Sequence, residues 1–130
     1  MPMERILKHG AGWRLGWNPI AENFKGLVGT EDWSLELTEA EFSDFCRLAA
    51  QLARTMAQMS QELMPEEAIV CEAETDRLWL EVSGYPHAYS LHLILLTGRR
   101  GEGCWIAAAV PELMHELTQW VNSTQMQERT

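Results

Sequence analysis

The sequence predicts an α+β fold: an antiparallel sheet in two strand-rich halves, each followed by a helix. Three observations predict it. Period-two alternation of apolar and polar residues fills 12–37 and returns over 68–109. A capping box at Thr38 opens a long apolar seam of helical spacing. A second, shorter seam follows Pro111.

The first eleven residues carry no pattern and read as a lead-in. Trp13, Leu15 and Trp17 then share one face of a strand that closes on Asn18-Pro19. Lys25 to Gly29 is a short strand, and Trp33, Leu35 and Leu37 point inward from the next, with a turn between them. In Thr38-Glu39-Ala40-Glu41 the Thr38 hydroxyl can accept from the Glu41 amide while the Glu41 carboxylate reaches back. Phe42, Phe45, Ala49, Leu52, Met56, Met59 and Leu63 follow at steps of three and four, so the helix is expected from Glu39 to Leu63. Pro65 is its stop.

The second half repeats the plan. Ile69, Cys71 and Ala73 face inward from the strand over 68–74, with Glu72 and Glu74 outward. Leu78, Leu80 and Val82 do the same over 77–83, and the strand over 89–97 is apolar on both faces and therefore central. The segment 98–103, rich in glycine, reads as a loop and 104–109 as the last strand. Leu113, Met114, Leu117, Trp120 and Val121 form one face of the final helix. The domain is thus placed at 12–122, its halves at about 12–64 and 68–122, with a frayed polar tail over 123–130. Trp33 and Trp105 each stand five or six residues ahead of a helix, so both are expected buried at equivalent places.

Composition narrows the function. With 19 acids against 10 bases the formal charge is −9, which repels polyanions and makes nucleic-acid binding doubtful. Cys46, Cys71 and Cys104 are odd in number and widely spaced, so no disulfide framework is expected and a reducing, cytoplasmic setting fits. No apolar run has the length of a membrane span, and no membrane role is expected.

Each candidate site competes with a plainer reading. The tryptophans 13, 17, 33, 79 and 105 could form an aromatic contact surface, but shared faces with leucine favour the core, leaving Trp79 as the ring expected to be exposed. Glu72, Glu74 and Glu81, with Glu36, could hold a divalent cation, but alternating glutamates usually mark the solvated side of a sheet. His92, His115 and Cys104 lack the paired spacing of a zinc site. Arg99 and Arg100 are the one concentrated basic feature and the candidate contact for an anion. The helix seam outruns a typical strand, about 17–20 Å long, so its second half is expected to meet a partner or a second copy through Met56, Met59 and Leu63, with Trp79 beside them. A homodimer of about 30 kDa, twice 14.8 kDa, is the expected state.

The blocks Gly12-Trp13-Arg14-Leu15-Gly16-Trp17-Asn18-Pro19, Gly26-Leu27-Val28-Gly29-Thr30-Glu31-Asp32-Trp33 and Glu36-Leu37-Thr38-Glu39-Ala40-Glu41 resemble an uncharacterised cyanobacterial family, a domain of unknown function. Leu63-Met64-Pro65-Glu66-Glu67-Ala68-Ile69 and Glu102-Gly103-Cys104-Trp105 continue the resemblance, which spans Gly12 to about Val121. It implies a fold like that of the Whirly-type single-stranded-DNA-binding transcriptional regulators. It implies no activity and no site residues, and fold likeness does not transfer DNA binding.

The sequence therefore leads to a non-enzymatic interaction protein, without cofactor, metal or catalytic residues, that binds a protein partner or itself. A single-stranded nucleic-acid-binding regulator is the alternative, and a small-molecule-binding protein or enzyme the second alternative.

Overall fold

Why residues 6–10 form a strand is the first thing the sequence hides. A computed structural model describes residues 3–62, 64 and 66–128, with side chains to Trp120. In it β1 (Ile6–Gly10) pairs antiparallel with β2 (Trp13–Trp17), matching Lys8 to Leu15. Position 8 thus faces inward, yet carries a lysine. Its ammonium reaches Glu116 at 3.0 Å, so the apolar stem covers the sheet while the charge is paired at the edge. A polar residue at an inward position broke the alternation, and the lead-in expected over 1–11 holds a strand.

β3 (Gly26–Gly29) and β4 (Ser34–Leu37) complete a four-stranded meander in the order β1-β2-β3-β4. α1 (Glu39–Met59) follows. The second half repeats this with β5 (Ile69–Glu74), β6 (Leu78–Tyr85), β7 (Ala88–Leu95) and β8 (Glu102–Trp105), again a meander, and then α2 (Val110–Glu128). Two antiparallel four-stranded sheets, each followed by a helix, give the α+β class and the two halves expected. β7 lies between β6 and β8, as its two apolar faces foretold.

α1 begins at the capping box. Thr38 accepts from the Glu41 amide at 3.2 Å, and the Glu41 carboxylate accepts from the Thr38 amide at 2.9 Å. The helix ends at Met59 rather than at Leu63. Glu62 donates to Met59 at 3.0 Å and Gln61 to Gln58 at 3.2 Å, three-residue spacings that tighten the chain out of the α-helix. Leu63 and Pro65 lie outside the described residues. α2 runs past position 122 to Glu128, beyond the point where a polar tail was expected. Good helix formers there (Gln125, Met126, Gln127, Glu128) carry it on.

The core lies between the inner sheet faces and the helices. α1 touches β3 and β4 of the first sheet, β5 and β6 of the second, and α2. One helix therefore serves two sheets, and its seam of Phe42, Phe45, Ala49, Leu52 and Met56 is wholly buried. Phe42 meets Trp17 at 5.6 Å and Trp120 at 5.2 Å between ring centroids. Trp33 and Trp105 do not occupy equivalent places. Trp33 stands just before β4, half-buried, whereas Trp105 closes β8 fully buried, and the two rings meet at 5.0 Å. β8 itself covers part of the expected loop. Gly103 leaves the space for the Trp33 ring, which a Cβ there would strike. Glycine here makes room within a strand and does not mark a loop.

Two carboxylates on the first turns of α1 hold two of the three connections of the second sheet. Glu41, 2% exposed, accepts from Thr97 at 3.0 Å and pairs with Arg99 in the β7–β8 connection. Asp44 accepts from Thr75 at 2.8 Å and Arg77 at 3.1 Å in the β5–β6 turn, and from Arg47 at 3.3 Å. Burial pushes the Asp44 carboxyl up. The bonds from Thr75, Arg77 and Arg47 and the Arg77 charge outweigh this and leave it below its ordinary 3.8. A lowered folded value means the contribution is complete above the unfolded value and disappears as pH falls through the folded one. Urea midpoints of the wild type and Asp44→Asn should differ by a constant amount above about pH 5 and converge below about pH 4. A gap that stays open in acid contradicts this account.

Candidate functional site

The strands of the second sheet contain four glutamates and no lysine or arginine. Alternation sends all four glutamates to the outer face, because the inner positions Leu78, Leu80, Val82, Leu91 and Leu93 are buried under α1 and α2. Register then places them in two rows. Glu72, Glu81, His92 and Cys104 lie opposite one another across the four strands, and Glu74, Trp79, Ile94 and Glu102 form the next row.

Trp79 stands at the centre of this face. It is half-buried, and its indole N–H donates to Glu72 at 3.1 Å. The His92 ring meets it edge-on at 5.5 Å, and His92 Nε2 lies 3.2 Å from Glu102 Oε2. The ring is thus fixed at its edge while part of its surface meets solvent. Val70, 62% exposed, extends the apolar area toward the free edge of β5. Cys104 is also on this face; burial and then the Glu81 carboxylate push its thiol up, away from the thiolate form.

The other expected site residues are scattered. Met56 is fully buried and is a core residue, which corrects its placement in a partner interface. As far as Met56 the apolar face of the helix leaves no surplus, because two sheets and α2 share the covering. Met59 is half-buried at the last turn of α1, and Leu63 lies outside the described residues. Arg99 is not free to hold an external anion: it pairs with Glu41, donates to the Glu36 carbonyl at 2.5 Å and lies 4.6 Å from the Phe24 ring centroid. Arg100 is exposed at the tip of that connection. Of the expected tryptophans, 13, 17 and 105 are core.

The residues weighed for metals are partly brought together. His92 faces Cys104 across β7 and β8, whereas His115 is on α2 with its ring 3.0 Å from Gln119. Glu36 belongs to the first sheet, away from Glu72, Glu74 and Glu81. Among the described residues no group of three or more His, Cys, Asp or Glu is arranged to hold a metal ion. No described helix is long and apolar enough to cross a membrane. Sequence reasoning missed Glu102 and Ile94 as members of the face. The two-residue spacing of Glu102 and Cys104 carried that signal, masked by the flanking glycines.

The chain is similar to a protein of unknown function, from the DUF155 family of the cyanobacterium Prochlorococcus sp. NATL2A, whose crystal structure superposes with a TM-score of 0.84 at 25% identity. The match covers 88% of this chain and 98% of that one. No curated protein matches. Residues 8–120 match the domain of unknown function DUF1818, and with nearly all of the folded region inside that match, the chain belongs to the DUF1818 family.

Proposed function

We propose that this protein is a non-enzymatic interaction module whose second sheet receives a cationic, arginine-bearing segment of a partner protein. One observation carries the reading: a half-exposed tryptophan at the centre of a sheet face with four glutamates and no lysine or arginine on its strands. A guanidinium stacks on an indole face and pairs bidentately with carboxylates, two contacts an ammonium makes less well. Tryptophan and arginine are also the residues on which interface energy concentrates. The net charge of −9 adds long-range steering of a basic partner. The same face repels phosphates, which weighs against the single-stranded nucleic-acid alternative that the family resemblance had implied.

A fluorescent arginine–serine repeat peptide, a lysine–serine peptide of equal charge and labelled single-stranded DNA test this by anisotropy. The arginine peptide should bind most tightly and weaken with salt, and the DNA should show nothing tighter than micromolar. Trp79→Ala should weaken the arginine peptide by about tenfold, while neutralising Glu66 and Glu67 together should change little. Equal binding of both peptides by the wild type and Trp79→Ala would reduce the effect to bulk charge and sink the reading. A nanomolar DNA complex would replace it with the nucleic-acid alternative. A mass of twice 14.8 kDa in light scattering, lost in Trp79→Ala, would make a second copy the occupant of this face.

A further inference from the structure

The outer face of the first sheet holds a depression that its backbone does not require. Leu7, Gly16 and Leu27 lie opposite one another across β1, β2 and β3, with Glu36 next on β4. Gly16 is in the middle of a strand whose pairing is continuous on both sides, so no bulge accounts for it. Positive φ does not account for it either, since the described glycines with positive φ are Gly12 and Gly84. A strand-interior glycine weakens a sheet and often marks a place where a ligand approaches the backbone. A Cβ here would lie 3.3 Å from Leu27 Cβ and 3.5 Å from Leu7 Cδ1, so anything larger than alanine would occupy the depression itself.

The depression is part of a cavity of about 180 Å³ over Gly16, walled by Leu7, Leu27 and Phe24. Its walls are fixed before any ligand arrives. Arg99 lies over the Phe24 ring, and is itself held by the buried Glu41 and the Glu36 carbonyl. The loop that carries Phe24 is closed by Asn18 N–H donating to the Lys25 carbonyl at 2.8 Å and by Lys25 Nζ donating to the Ala21 carbonyl at 2.8 Å. Arg5, Lys25 and Glu36 also line the cavity. Lys25 keeps two of its three protons for another acceptor, and the Arg5 guanidinium makes no hydrogen bond among the described residues.

We infer that this cavity is a binding site for a small monocarboxylate with an apolar aryl or short alkyl body. The body would lie over Gly16 between Leu7, Leu27 and Phe24, and the carboxylate would meet Lys25 and Arg5. The volume suits one ring: an apolar cavity of about 150 Å³ accommodates benzene. Glu36 repels a second negative charge, which restricts the ligand to one carboxylate. The site is on the opposite sheet from Trp79, so it stands or falls independently of the cationic-segment reading.

Phenylacetate is a suitable probe, followed by amide chemical shifts of the full chain, with acetate and phenethylamine as comparators. Phenylacetate should shift the Gly16, Lys25 and Leu27 amides saturably with a Kd of roughly millimolar, the strength that a ligand of so few atoms allows. Acetate lacks the body, and phenethylamine carries an ammonium in place of the carboxylate, so neither should saturate. Lys25→Gln should weaken phenylacetate about tenfold, and Gly16→Val should abolish its binding by filling the cavity. If Gly16→Val does not fold, the double variant Arg5→Gln with Lys25→Gln, both changed at exposed or half-exposed positions, should abolish saturation in its place. Absence of saturable shifts with phenylacetate, equal response to phenethylamine, or undiminished binding in the arginine and lysine variants would each overturn the site.

Discussion

Trp105→Ala should lower the free energy of unfolding in urea by about 3–5 kcal/mol, the range for removing a large buried aromatic. Trp105 is fully buried at the end of β8, and its neighbours come from both halves. Trp33, from the first half, meets it at 5.0 Å and Phe45 of α1 at 5.6 Å. Its indole N–H donates to the Gly29 carbonyl of β3 at 2.9 Å, which binds the second sheet to the first through a buried hydrogen bond. Removing the ring leaves a cavity and loses the buried bond to the Gly29 carbonyl, and the two costs add. Domains of this size have about 5–15 kcal/mol in all, so the variant should be near its limit at room temperature. Trp105→Phe should recover part of the loss by filling volume without restoring the bond. A loss below about 1 kcal/mol in Trp105→Ala would show that the halves do not depend on this contact.

Glu41→Ala should be the second severe change, at about 3 kcal/mol, the scale of breaking a buried ion pair by removing one partner. The 2%-exposed carboxylate accepts from the Thr38 amide, from Thr97 and from Arg99. Its loss frays the start of α1 and frees the β7–β8 connection together. Thr38→Ala removes only one arm of the cap and should cost about 1 kcal/mol. The contrast is the measurement: if the two variants lose the same amount in urea, Glu41 acts as a cap alone and the link to Arg99 contributes nothing.

What was legible in the sequence follows from the range of the forces involved. Thr38, Glu41 and the seam from Phe42 to Met56 are separated by a few residues, and their geometry is set by the helix itself, so cap and buried face were readable. The outward glutamates at 72, 74 and 81 were readable for the same reason, since a strand alternates whatever lies beside it. Their assembly with Glu102 and Trp79 into one face depended on cross-strand register, which a lone strand does not carry.

By itself the sequence determined the α+β class, the two halves, the start of α1 and which side of β5 and β6 is wet. Tertiary structure alone decided the rest. It took Met56 out of the candidate interface by covering α1 with both sheets, and drew Arg99 inward to a carboxylate 58 positions away. It also made strand positions of Lys8 and Gly103, one through a distant glutamate and one through the ring of Trp33. Each of these turns on a partner remote in sequence. Burial and charge pairing depend on what lies across a few ångströms of space, and periodicity records only what lies along the chain.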